Sequence, residues 1–170
     1  MLCHYCLDSV CHPYVRKAAA KGEVTHAQLE TEFERRLLET DGKIPACSYD
    51  LSAHIRLTPG ECETVARFYP PASAKNIKDS VSSMARYVRL LATPEGMRRR
   101  VLEKGVGIVG KDYADMLMAE KPRPLCAPYL PGLLEKYQQA VELFPEMLTQ
   151  LQAHMTYSAP FGDEFKGKFG

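Results

Sequence analysis

The stretch from residue 74 to residue 92 constrains the fold more than any other part of the chain. Its apolar side chains recur at alternating steps of four and three residues, which is the spacing of one face of an α-helix. These side chains are Ile77, Val81, Met84, Val88 and Leu91. Ser73 can cap the first turn, and Thr93-Pro94 can end the helix. The sequence therefore predicts one well-bounded helix whose apolar face is buried by neighbouring elements.

A second stripe of the same helix is cationic, and the next predicted helix continues it with three successive arginines that mostly point outward. Such a surface can contact the phosphates of a nucleic acid, and a tyrosine beside it can stack on a base. It can equally meet a protein partner or simply face solvent. The candidate residues for partner or nucleic-acid binding are Lys75, Lys78, Arg86, Tyr87, Arg89, Arg98, Arg99 and Arg100.

Helical spacing recurs through most of the remaining chain, so the sequence predicts a mainly α fold of about six to eight helices. At 170 residues, one compact domain over 1–157 is the simplest organisation, followed by a Gly- and Phe-rich tail at 158–170. Residues 50–57 are the exception, because apolar and polar side chains alternate there with the period of a strand. A strand needs a partner, from this chain or from a second copy in a homodimer.

The near balance of positive and negative residues excludes a strong net electrostatic field around the whole protein. Lysine and arginine number 22 against 21 aspartates and glutamates, so any role in binding nucleic acid must be local. No apolar run reaches the ~18 residues of a membrane span, and no export signal is recognisable at the N-terminus. We therefore expect a cytoplasmic protein without a membrane partner, in which the six cysteines are thiols, core residues or metal ligands.

The first dozen residues are unusually rich in metal-binding residue types. Cys3 and Cys6 form a C-x-x-C pair, and Cys11-His12 follows. Two thiolates with a third ligand suit a tetrahedral zinc ion, although the usual second pair is missing from the following window. The alternative is that the cysteines form a buried helical stripe, in which they behave as small apolar residues.

The segment 105–111 fits two glycine-rich phosphate-loop patterns. Both patterns require an apolar strand immediately before the loop, whereas the preceding residues have helical character. We therefore expect a partly apolar connection rather than a nucleotide site.

The tail carries three phenylalanines at steps of four, Phe161, Phe165 and Phe169. Glycines between them weaken a helix. We expect the rings to dock on their own domain in preference to the alternative, a peptide that binds a partner.

No pattern in the sequence indicates a catalytic triad, a zinc-protease motif or a carboxylate cluster. The leading hypothesis is a non-enzymatic binding or regulatory protein that occupies a surface of a macromolecular partner. Inhibitors, adaptors and accessory factors, including those of mobile genetic elements, are of this kind. The alternatives are a nucleic-acid-binding regulator that uses the basic faces at 75–89 and 98–100, and an interaction module stabilised by zinc.

Overall fold

The computed structural model describes residues 2–94, 96–109 and 114–166. Within this part the chain is mainly helical, with 74% helix and no strand, which confirms the predicted fold class. The α-helices are α1 Leu2–Ala19, α2 His26–Thr40, α3 Pro59–Ala66, α4 Ala74–Leu91, α5 Met97–Val109 and α6 Leu130–Tyr157. Short 3-10 turns lie at Ala46–Ser48, Leu51–His54, Pro124–Tyr129 and Asp163–Lys166.

Contacts group the chain into two compact units. Unit 1 combines Met1–Phe33 with Pro122–Gly170, and unit 2 is Glu34–Lys121. The single domain over 1–157 stays a prediction, because a unit defined by contacts need not fold on its own. A membrane-crossing helix, which must be both long and apolar, does not occur among the described residues.

Unit 1 is built on the packing of α1 along α6. One apolar cluster contains Val15, Leu29 and Leu133, and a second contains Cys6 and Met147 beside Ala140. The prolines within the two helices do not divide them, since Pro13 lies inside α1 and Pro145 inside α6. The N-terminal cysteines are therefore part of a long helix rather than of a separate loop.

Helices α1 and α6 approach each other closely at Gly132. A Cβ atom at this position would lie 2.5 Å from the Tyr14 hydroxyl and 2.7 Å from its Cζ. The same hydroxyl donates a hydrogen bond to the Tyr129 carbonyl at 3.0 Å. Glycine is thus required here for space, not for an unusual backbone conformation.

Replacing Gly132 by alanine is expected to lower the free energy of unfolding by about 1.5 kcal/mol, because the tyrosine ring must move and lose its hydrogen bond. Gly60, in α3, is the control, since a Cβ there meets nothing within 4 Å. The Gly60→Ala variant should be unchanged or stabilised by up to ~1 kcal/mol. Urea unfolding measures both changes. Wild-type stability in Gly132→Ala would show that the two helices are further apart.

In unit 2, helices α3 and α4 each begin with a capping box, which is formed by local hydrogen bonds. Thr58 and Glu61 cap α3, while Ser73 and Asn76 cap α4. The hydrogen bonds that Glu61 accepts from the backbone and side chain of Thr58 lower the pKa of Glu61. These reciprocal hydrogen bonds between side chain and backbone fix where each helix begins.

The predicted burial of the apolar face of α4 is wrong in its extent. No residue of α4 is fully buried, and Met84 is 52% exposed, whereas Val88 is half-buried. The reason is the size of the packing partners. Helix α4 has 18 residues, but it packs on the eight residues of α3 and on the four-residue turn Leu51–His54. These elements are too short to cover the whole face.

The predicted strand near 50–57 is also wrong. Residues 51–54 form a 3-10 turn, in which the Asp50 carboxylate accepts a hydrogen bond from the Ser52 amide at 2.8 Å. This local bond gives the Ser52 amide the partner that, in a strand, it would have on a neighbouring strand. Ser52 is buried and Ala53 is exposed, which is the reverse of the burial that the alternating pattern predicted.

The glycine-rich segment differs from the expected connection as well. Residues 105–109 belong to α5, so the strand that a phosphate loop requires is absent before them in the described chain. Gly110 and Lys111, which complete the two patterns, lie outside the described residues.

Candidate binding cleft

A cleft of about 370 Å³ lies in unit 2 between α3, α4 and the segment 55–57. Its apolar lining, which we call the floor, consists of Ile55, Leu57, Cys62, Val81 and Ala85. Its polar lining, which we call the rim, contains four cationic side chains among the described residues, Arg56, Lys78, Arg86 and Arg89, together with the hydroxyl of Ser82. We call this site the basic cleft.

Helix α4 supplies most of the rim. Lys78, Ser82, Arg86 and Arg89 follow one another at steps of four, four and three residues, so they lie on one side of the helix. The capping box at Ser73 fixes the beginning of α4. Most of the basic stripe that the sequence predicted therefore lines a concavity rather than a flat surface.

One rim cation is held in place by its own unit. Arg89 donates to the Asp50 carboxylate at 3.1 Å and to the Ser52 hydroxyl at 3.2 Å. Hydrogen bonds from the side chain and backbone of Ser52, with smaller contributions from Arg89, lower the pKa of Asp50. The carboxylate is therefore ionised at neutral pH and compensates one of the four positive charges.

The other three cations remain uncompensated. Arg56, Lys78 and Arg86 are exposed and form no ion pair with any residue that the structure describes. No carboxylate is among the described residues that line the cleft. Cations at close range repel one another, and this repulsion is relieved when an anion binds between them. Arginine in particular presents a planar set of donors that matches a carboxylate or a phosphate.

The structure brings together only part of the predicted surface. Lys75 is paired with Asp79 at 2.9 Å, and this hydrogen bond raises the pKa of Lys75. Tyr87 is 67% exposed but does not line the cleft. Arg98 and Arg100 are exposed on α5. Sequence reasoning missed Arg56, because the segment that carries it was assigned to a strand.

Arg99 corrects the expectation that the three successive arginines face outward. It is only 6% exposed, and its guanidinium donates to the carbonyls of Thr93 and Met118 and to the Glu103 carboxylate. Arg99 is therefore part of the interior of unit 2, and we do not include it in the candidate surface.

The four predicted zinc ligands, Cys3, Cys6, Cys11 and His12, all lie on α1 but have different surroundings. Cys3 is exposed, whereas Cys6 is buried and its thiol donates to the Ala140 carbonyl at 3.1 Å. Cys11 packs against the cluster around Val15. Burial, more than neighbouring charge, raises the pKa of both Cys6 and Cys11, which disfavours the thiolate form that binds metal. Zinc on this set of four stays a prediction.

The described part of the tail lies against unit 1. The Phe165 ring stacks on Tyr5 with centroids 5.8 Å apart, and Phe161 stacks on His154 at 4.1 Å. Two of the three predicted tail aromatics thus contact their own unit, and Phe169 lies outside the described residues. A partner-binding role of the tail stays a prediction.

Comparison of the chain with protein-family models, with curated proteins and with solved structures finds no match. The function is therefore inferred from the residues of the cleft alone.

Proposed function

We propose that this protein is a non-enzymatic regulator that binds an acidic segment of a protein partner in the basic cleft. The observation that supports the proposal is the combination of three unpaired cations with an apolar floor and no lining carboxylate among the described residues. A peptide that carries carboxylates on either side of an apolar side chain matches this arrangement. By occupying that segment the protein would control what else the partner can contact.

The shape of the cleft favours a peptide over a nucleic acid. Binding along a nucleic acid uses cations spread over many phosphates, whereas these cations surround a compact space of about 370 Å³. The exposed tyrosine that was predicted to stack on a base, Tyr87, lies outside the cleft. The net charge of +1 provides little long-range attraction for a polyanion.

The proposal keeps the cytoplasmic location that was expected from the sequence. All six cysteines are free thiols, and free thiols persist in a reducing compartment.

The proposal is tested by fluorescence anisotropy with a short labelled peptide that is rich in glutamate and contains one leucine. We expect saturable binding that weakens as salt is added, because the contacts are partly exposed charge pairs. The Arg86→Glu variant should bind at least ~10-fold more weakly, which corresponds to one lost charge-assisted hydrogen bond.

Arg100→Glu is the matched control, since it makes the same change of charge at an exposed arginine outside the cleft. Its affinity for the peptide should stay close to that of the wild type. Equal weakening in both variants would mean that only net charge matters, and absence of binding at low salt would reject the proposal. If a single-stranded RNA bound more tightly than the peptide, and if this binding depended on Arg86, the proposed partner would be a nucleic acid instead of a peptide.

A further inference from the structure

Three potential metal ligands meet in unit 1 where α1 lies beside α2. His26 and Glu30 are one helical turn apart on α2, with 2.8 Å between His26 Nε2 and Glu30 Oε1. His12 of α1 places its Nε2 3.2 Å from the same oxygen. The three ligand atoms all lie within 4.8 Å of one another. The two imidazole rings meet edge to face, with their centroids 5.1 Å apart.

The two distances that end on Glu30 are close to those of a tetrahedral metal site. Nitrogen and oxygen ligands lie about 2.0–2.2 Å from zinc, so two ligands of one tetrahedral ion are about 3.3–3.5 Å apart. The separation between His12 and Glu30 is already near this value. The pair His26–Glu30 needs to open by about half an ångström, which a side-chain rotation can provide. Two histidines and one glutamate form a known set of zinc ligands.

A further carboxylate of α1, Asp8, lies near this group but is not one of the three residues whose ligand atoms are all within 4.8 Å of one another. Asp8 Oδ1 lies 3.7 Å from His12 Nε2, the same nitrogen that faces Glu30. Asp8 precedes His12 by four residues, just as His26 precedes Glu30 by four, so each helix presents a pair on one side. Glu30 is 46% exposed and His12 is 23% exposed, which gives an ion access from solvent.

We infer that unit 1 contains a site for a divalent transition-metal ion of the zinc class, held by His12, His26 and Glu30. The bound ion would join the N-terminal half of α2 to α1. The site shares only His12 with the cysteine set that the sequence predicted. It is independent of the basic cleft, so the two proposals can fail separately.

The inference is tested by titrating the metal-free full chain, without an affinity tag, with Zn²⁺ by isothermal calorimetry. Co²⁺ serves as a spectroscopic substitute, because cobalt bound to thiolates shows a charge-transfer absorption that nitrogen and oxygen ligands lack. We expect about one equivalent of zinc to bind and no thiolate absorption with cobalt. His26→Gln and Glu30→Gln should each weaken zinc binding at least ~10-fold, because each removes a ligand.

Two control variants distinguish this site from metal binding elsewhere in the chain. His54→Gln changes a histidine of unit 2 and should leave zinc affinity unchanged. A variant with both Cys3→Ser and Cys6→Ser should also bind zinc as the wild type does. Absence of saturable binding would overturn the inference, as would full affinity in both ligand variants. Thiolate absorption that disappears in the cysteine variant would assign the metal to the cysteine set instead.

Discussion

Replacing Arg99 by alanine is expected to lower the free energy of unfolding by about 3 kcal/mol. The Arg99 guanidinium donates to the Thr93 carbonyl at 3.2 Å and to the Met118 carbonyl at 2.5 Å. It also donates to Glu103 at 2.8 Å. Alanine leaves two carbonyl groups without this donor in a region that water reaches poorly, and each buried acceptor without a partner costs about 1–3 kcal/mol.

The neighbouring arginines provide the controls for this prediction. Arg98 and Arg100 are exposed, so Arg98→Ala and Arg100→Ala should change stability by no more than about 0.5 kcal/mol. Arg99→Lys should recover only part of the loss, because an ammonium group cannot reproduce the fork of donors. Urea unfolding followed by circular dichroism measures all four variants. If Arg99→Ala matched its neighbours, the buried position of the guanidinium would be wrong.

The second large effect is expected at Met147, in the core of unit 1. Its side chain is 0% exposed and lies in the cluster with Cys6 and Ala140. Met147→Ala removes buried apolar surface and leaves a cavity, and such changes cost about 2–5 kcal/mol. We expect a loss of about 3 kcal/mol in the free energy of unfolding.

Met155 is a matched control on the same helix, because its side chain is 77% exposed. Met155→Ala should be nearly neutral, since little surface is removed from a packed environment. Thermal and urea unfolding of the two variants compare the positions directly. Similar stabilities would mean that α6 presents a different side to α1.

The sequence was most informative where structure depends on neighbouring residues. Ser73 was recognisable as a helix cap, and this cap forms. The predicted helix over 74–92 corresponds to Ala74–Leu91. Capping bonds and helical spacing involve residues a few positions apart, so they can be read without knowledge of the fold.

The sequence was least informative where structure depends on distant packing. The period of α4 identified its apolar face, but not the small size of the elements that cover it, and Met84 stays exposed as a result. The alternation of apolar and polar side chains at 51–55 resembled a strand. Such a pattern does not reveal the hydrogen bond that the Asp50 carboxylate accepts from the Ser52 amide, which favours a turn. The burial of Arg99 depends on carbonyls at 93 and 118, which no local pattern indicates.

The candidate sites, too, were predictable only where their residues are close together in the sequence. Lys78, Arg86 and Arg89 were predicted from helical spacing, whereas Arg56 comes from a separate segment and joins them only in the fold. Spacings of four residues link Asp8 with His12 and His26 with Glu30. Nothing in the sequence indicates that these two pairs face each other.

The most direct test of the central claim is a two-dimensional NMR titration of the isotopically labelled chain with the glutamate-rich peptide. If the basic cleft is the binding site, the backbone amide signals that move should cluster at Arg56, Lys78, Ser82 and Arg86, and signals from α1 and α6 should stay in place. Signals that move mainly in α1 and α6, or none that move at peptide saturation, would contradict the account.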